Sequence, residues 1–77
     1  MLKGIVIGAS GTEELQKTLS REGLAFRRLR GEEPKDFLSA LSQLGADPQE
    51  ALCLVETDRQ EQTALKLGLF CVGYLNP

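Results

Sequence analysis

The sequence contains no histidine and no tryptophan, and only 5% of its 77 residues are aromatic. Without histidine, zinc chemistry and histidine-activated nucleophiles lose their customary ligand and base. Cysteine is scarce: Cys53 and Cys71 lie inside the apolar runs Leu52-Cys53-Leu54-Val55 and Leu69-Phe70-Cys71-Val72. They lack metal-ligand spacing and read as small buried hydrophobes, inert thiols in a cytoplasmic protein. Long hydrophobic runs are missing too. The first apolar run, Ile5-Val6-Ile7, is far too short for the core of a signal peptide or for a membrane span. Nor is charge of one sign in excess: 9 Lys and Arg against 11 Asp and Glu leave a formal charge of −2. No general field therefore favours nucleic acid. The basic cluster, Arg27, Arg28 and Arg30, reads as a solvated strand edge rather than a phosphate track.

What is present is an ordinary globular composition, 42% hydrophobic, in a length that makes one small domain over residues 1–77. A chain of this size buries about 60–65% of the surface its unfolded form exposes, so its stability is modest unless a partner adds burial. Strand and helix alternate throughout. Residues 2–7 end in a β-branched run followed by the turn at 8–11. Ser10 with Glu13 spells a capping box for a helix to about Glu22, with Leu15 and Leu19 on one face and Gly23 after its end. Residues 24–30 read as a charged second strand, ended by Gly31. Pro34 opens a helix whose broad apolar face is Phe37, Leu38, Leu41 and Leu44, closed by Gly45 before an Asp47-Pro48 turn. Residues 51–55 form an apolar third strand. Thr57 with Gln60 offers a second capping box for a helix to Leu67, Gly68 ends it, and residues 69–74 form the fourth strand.

This pattern predicts a small three-layer, Rossmann-like α/β domain, a four-stranded parallel sheet with three helices. The charged second strand belongs at an edge, which gives the order 2-1-3-4. Right-handed crossovers then place the first helix on one face and the other two on the opposite face. One thin helix is left to guard a face to which strands 3 and 4 contribute apolar side chains. Self-association through this poorly covered face is the expected remedy.

Ligands of doubly wound sheets bind beyond the carboxyl ends of the strands, here where loop 8–12 (Gly8, Ala9, Ser10, Gly11, Thr12) meets Glu56, Thr57 and Asp58. The run Ile5-Val6-Ile7-Gly8-Ala9-Ser10-Gly11-Thr12 resembles the opening motif of the haloacid dehalogenase-like (HAD) hydrolases, an apolar strand followed by D-x-D-G-T. The stretch from Pro34 through Phe37-Leu38-Ser39-Ala40-Leu41 and Leu44-Gly45 to Pro48, then Leu52-Cys53-Leu54-Val55-Glu56-Thr57, is similar to a pattern in the same family. That pattern is K-P-x-P-x-x-F-L-x-A-L-x-x-L-G-x-x-P followed by an apolar strand and an acidic loop, and it belongs to the C-terminal core of phosphoglycolate phosphatase and β-phosphoglucomutase-like members. The resemblance covers residues 31–77 well and 3–12 moderately, and it leaves no room for a cap domain.

The resemblance implies a phosphoryl-transfer core and shows what has departed from it. Gly8 stands at the position of the nucleophilic aspartate and Ser10 at that of the general acid. The catalytic lysine falls on Gly31, the magnesium-binding aspartate on Glu56, and a further acid on Gln60. The family's chemistry needs a carboxylate nucleophile, an acid for the leaving group, a lysine and carboxylate-bound magnesium. Gly8 supplies no nucleophile, and Ser10 has no base near it in sequence. Three functional readings follow. The first is a catalytically inactive module that binds itself or a partner. The second is a phosphate or nucleotide sensor, its backbone N–H groups at the helix start cradling a small phosphorylated ligand. The third is a residual phosphatase-type hydrolase using Ser10 or Glu56. No cofactor is expected beyond a weak magnesium site at Glu56. Against the anion reading, Glu13 and Glu14 already compensate the helix dipole.

Overall fold

The computed structural model describes residues 2–74. It is an open four-stranded parallel sheet in the order β2-β1-β3-β4, with three α-helices, as the sequence pattern predicts. The strands are β1 (Gly4–Ile7), β2 (Phe26–Arg28), β3 (Ala51–Val55) and β4 (Phe70–Gly73). The helices are α1 (Glu13–Arg21), α2 (Pro34–Leu44) and α3 (Asp58–Lys66). The Asp47-Pro48 turn is the start of a short 3-10 helix, Pro48–Glu50. Strand β3 has the expected bounds, whereas β1, β2 and β4 are shorter than the expected 2–7, 24–30 and 69–74.

Strand register sorts the side chains into two cores. On one face Val6, Ala51, Cys53 and Val55 pack against Phe37, Ala40 and Leu41 of α2 and Ala64 of α3. On the other face Ile5, Ile7 and Leu54 pack against Leu19 of α1, with Leu15, Phe26, Leu52 and Tyr74 around them. Phe37 is wholly buried, while Leu38, expected on the same face, is half exposed. The α2 stripe is therefore narrower than its sequence suggests. Its C-terminus is formed by Gly45 at φ +64°, after which the Ala46 N–H donates to the Leu41 carbonyl at 3.1 Å. This is the Schellman ending, and a side chain at that φ would be strained. The endings of α1 and α3 follow the same scheme.

The imbalance between faces is real. The α1 face of β4 carries Phe70, 63% exposed, and Val72, 45% exposed, next to half-buried Leu52. Their register partners on β3 are Leu52 and Leu54, so these side chains lie side by side on one surface. At the opposite edge β2 bears Arg27 and Arg28, both exposed.

The expected cap of α1 is overturned as well. Ser10 does not cap α1: the helix starts at Glu13, its N-cap is Thr12, and the Thr12 side chain makes no capping bond. Thr12 is instead buried, its hydroxyl accepting from Gln16 Nε2 at 2.9 Å. Gly11 at φ +68° adds a turn between Ser10 and the helix, which removes Ser10 from capping distance. Thr57 does cap α3, accepting from the Gln60 N–H at 3.1 Å.

Candidate functional site

Three loops meet at the carboxyl ends of the strands: 8–12 after β1, 29–33 after β2, and Glu56 with Thr57 after β3. The ladder carries on past β1, where the Gly8 N–H donates to the Leu54 carbonyl at 2.8 Å and the Leu29 N–H to Ile7 at 2.9 Å. These bonds hold the loop bases rigidly in the sheet.

Gln60, in the first turn of α3, sits at the centre. Its Nε2 donates to the Gly8 carbonyl at 2.9 Å and its Oε1 accepts from the Glu56 N–H at 2.8 Å. The side chain is 6% exposed and both ends of its amide are satisfied. In a reciprocal capping box it would return to Thr57; here it reaches one residue further, to the backbone that carries the loop. Its position explains Gly8. A Cβ on Gly8 would lie 3.0 Å from the Gln60 amide carbon and 3.1 Å from Leu29 Cδ1. A side chain at position 8 therefore requires Gln60 and Leu29 to give way by a few tenths of an ångström.

Gly31 is closed in a comparable way. A Cβ there would fall 2.6 Å from Asp36 Oδ2, the atom that accepts from the Glu33 N–H at the start of α2. A lysine at position 31 displaces Asp36 and costs α2 that bond. Gly8 and Gly31 are thus both crowded by a neighbouring polar side chain.

Ser10 and Glu56, 46 residues apart in sequence, are brought together: Ser10 Oγ donates to Glu56 Oε2 at 3.1 Å. Thr57 Oγ1 donates to Glu32 Oε2 at 2.8 Å, and Arg59 bridges to Glu33 at 2.6 Å. The sequence reading found no base for Ser10, and folding supplies a carboxylate as its partner. The pair is open to water, and no histidine is present to relay its proton. The links from Glu32 to Thr57 and from Glu33 to Arg59 in the first turn of α3 had no sequence signal, since neither spacing nor pattern connects residues 25 or 26 apart on different elements.

The electrostatics are acidic. Glu56, Asp58 and Glu61 line a shallow cleft of about 130 Å³ bounded by Val55, Gly73 and Tyr74. An anion entering loop 8–12 meets the Glu56 carboxylate on Ser10 and Glu13 and Glu14 in the first turn of α1. For magnesium the donor set is poor. Among the described residues no three metal-ligating side chains converge, and Gln60 Oε1 is already taken by a backbone N–H. The residues present do not fit the ion. The two thiols are register partners on β3 and β4, both free. Burial pushes the Cys53 thiol up to about 12 and raises the half-buried Cys71 as well, so neither is a thiolate near neutrality.

No known protein family, curated protein or solved structure matches the chain. Among the described residues no helix is long and apolar enough to cross a membrane.

Proposed function

We propose that this domain is a non-catalytic association module of HAD-like descent, which binds a second copy of itself through the poorly covered β3–β4 end of the sheet. The observation that carries the reading is the exposure of Phe70 and Val72 beside Leu52 on a surface that α1 does not reach. Burying a large apolar side chain contributes about 1.5–3 kcal/mol, so leaving two in water is a standing driving force for association. The crowded position 8 supports the non-catalytic half of the reading, since any side chain there must displace the doubly bonded Gln60 amide. The free, protonated thiols of Cys53 and Cys71 support a reducing, cytoplasmic setting. No cofactor, nucleic acid or membrane enters the proposal.

Sedimentation equilibrium across the micromolar range tests it. The wild-type mass rises with concentration, and Phe70→Glu stays monomeric with its helices intact. A wild-type chain that is monomeric throughout overturns the reading.

The Ser10–Glu56 hydrogen bond is the one feature that favours a second reading, a residual hydrolase. Turnover of para-nitrophenyl phosphate that disappears in both Ser10→Ala and Glu56→Ala establishes it. A rise in melting temperature with inorganic phosphate, lost in Ser10→Ala, establishes the sensor reading instead.

A further inference from the structure

The two edges of the sheet are open and carry opposite charge. At the β2 edge stand Arg27 and Arg28, with Arg30 just beyond. The guanidinium groups of Arg28 and Arg30 make no ion pair or hydrogen bond among the described residues, and that of Arg27 only donates to the Phe26 carbonyl at 2.8 Å. At the β4 edge Glu56, Asp58 and Glu61 line the cleft at Gly73 and Tyr74, and none of the three has a cationic partner among the described residues. Glu61 also stands beside Cys71, whose Sγ lies 4.0 Å from its carbonyl oxygen. Arg28, Arg30 and the acidic cleft all lie at the carboxyl ends of their strands. The amino end of β4 has the opposite sign, since Lys66 occupies the last turn of α3 just before it.

The outward backbone groups are complementary too. On β2 the Ala25 carbonyl accepts from the Ile5 N–H at 3.0 Å, and the Leu29 N–H donates to Ile7 at 2.9 Å. Alternate residues of a parallel ladder face one neighbour, so Phe26 and Arg28 turn their N–H and C=O away from β1. On β4 the Tyr74 N–H donates inward to Val55 at 2.8 Å, which leaves those of Cys71 and Gly73 facing outward. Side chains sort by face as well. Phe26 is on the α1 face with exposed Phe70 and Val72, whereas Arg27, by alternation, shares the other face with Leu29 and Cys71.

We propose that copies join head to tail: β4 of one chain pairs parallel with β2 of the next, continuing the sheet. This deepens the association reading above and rests on it. With Cys71 set opposite the partner's Arg27, the Cys71 N–H meets the carbonyl of the partner's Phe26. The N–H of the partner's Arg28 then meets the Cys71 carbonyl. The partner's Arg27 exchanges its bond to Phe26 for the neighbourhood of Glu61, and the partner's Arg30 arrives at the rim of the acidic cleft at Gly73. On the opposite face Phe70 lies beside the partner's Phe26, in the shallow groove that Gln16, Lys17 and Ser20 of α1 form with that residue. The next chain's α1 thus supplies the cover that β4 lacks.

Charge selects this occupant and this mode. Pairing β4 with β4 about a two-fold axis sets Glu61 against Glu61, and pairing β2 with β2 sets arginines against arginines. Antiparallel pairing of β2 with β4 carries Arg28 and Arg30 to Lys66 at the amino end, away from the cleft. The parallel, head-to-tail arrangement alone lays the basic edge along the acidic one. Such a contact is heterologous: a dimer still has one free β2 edge and one free β4 edge, so assembly runs past two copies. Strands of three and four residues bury less than the roughly 800 Å² per partner of standard stable interfaces, so the assembly dissociates on dilution.

Sedimentation equilibrium of the full chain compares wild type, Arg27→Glu/Arg30→Glu, Glu61→Lys and an equimolar mixture of these two variants. The wild-type mass is expected to rise past that of a dimer with concentration and to fall as salt is raised, which shortens the screening length. Each variant alone associates on the order of tenfold more weakly, with an unchanged circular dichroism spectrum, since its altered edge repels the intact one. The mixture regains association, because the acidic β4 edge of the arginine variant meets the basic β2 edge of the Glu61→Lys chain. If Glu61→Lys does not fold, the arginine variant and the salt series decide. A wild type that stops at the dimer overturns head-to-tail pairing. So does an arginine variant that associates like wild type while Phe70→Glu does not, and in both cases association through the sheet end survives. A mixture of folded variants that associates no better than its components overturns the pairing too. A monomeric wild type removes both.

Discussion

The amide of Gln60 occupies the volume that a side chain on Gly8 would need, and Gln60 Nε2 fastens to the Gly8 carbonyl at 2.9 Å. The two residues belong to the first and third crossovers and are 52 positions apart. Each accounts for the other: the glycine leaves room for the amide, and the amide ties the first loop to the third.

From this pairing, Gly8→Asp destabilises the domain by about 1–3 kcal/mol through overpacking, and it confers no phosphatase activity. Gln60→Ala alone costs about 1–3 kcal/mol, because the Glu56 N–H and Gly8 carbonyl lose their partner. The double variant is more stable than the sum of the two losses, since the shortened side chain relieves the clash. Urea denaturation of the four proteins gives the coupling energy, and a value near zero contradicts the steric account.

Gly31→Lys is expected to lower stability by about 0.5–2 kcal/mol. Its Cβ displaces the Asp36 carboxylate from the Glu33 N–H and leaves the start of α2 with one fewer capped donor. Asp36→Ala causes a loss of similar size, and combining the two adds little further. Thermal melts read the comparison; fully additive losses refute it.

The buried Cys53 thiol makes stability depend on alkaline pH. Burial raises the folded-state value of Cys53 to about 12, against an unfolded value near 9. The folded chain keeps the proton that the unfolded chain releases, so the stabilisation is whole below pH 9 and is lost as pH rises toward 12. The slope attributable to Cys53 is about 1.4 kcal/mol per pH unit in that window. Melting temperature against pH for wild type and Cys53→Ala checks it: the variant starts lower and falls less steeply.

Phe37 and Leu38 are adjacent on α2 and differ sharply in burial, 0% against 50% exposed. Phe37→Ala costs about 3–5 kcal/mol, enough to unfold so small a domain at moderate temperature, whereas Leu38→Ala changes stability by about 0.5 kcal/mol or less. Denaturant midpoints distinguish them directly.

The architecture was legible in the sequence because its signals are local. The apolar runs at 51–55 and 69–74, the glycines after each helix and the proline opening α2 each act within a few residues. The arginines of β2 added the edge, and with right-handed crossovers that fixed the strand order. The candidate site was legible only as loop positions. Ser10 looked like a cap because Glu13 follows at the right spacing, but Gly11 at φ +68° turns the chain once more before the helix begins.

By itself the sequence determined the alternation of strands and helices, the glycine-marked helix C-termini, the absence of histidine chemistry and the shortage of cover over β3 and β4. Periodicity, glycine placement and composition act over a few residues or sum over the whole chain, and they need no knowledge of which loops meet. Tertiary structure alone decided that Gln60 fills the space at Gly8, that Asp36 fills it at Gly31, and that Ser10 bonds Glu56. These contacts join residues on different crossovers, where the sheet's register, rather than distance along the chain, sets which atoms come within hydrogen-bonding reach.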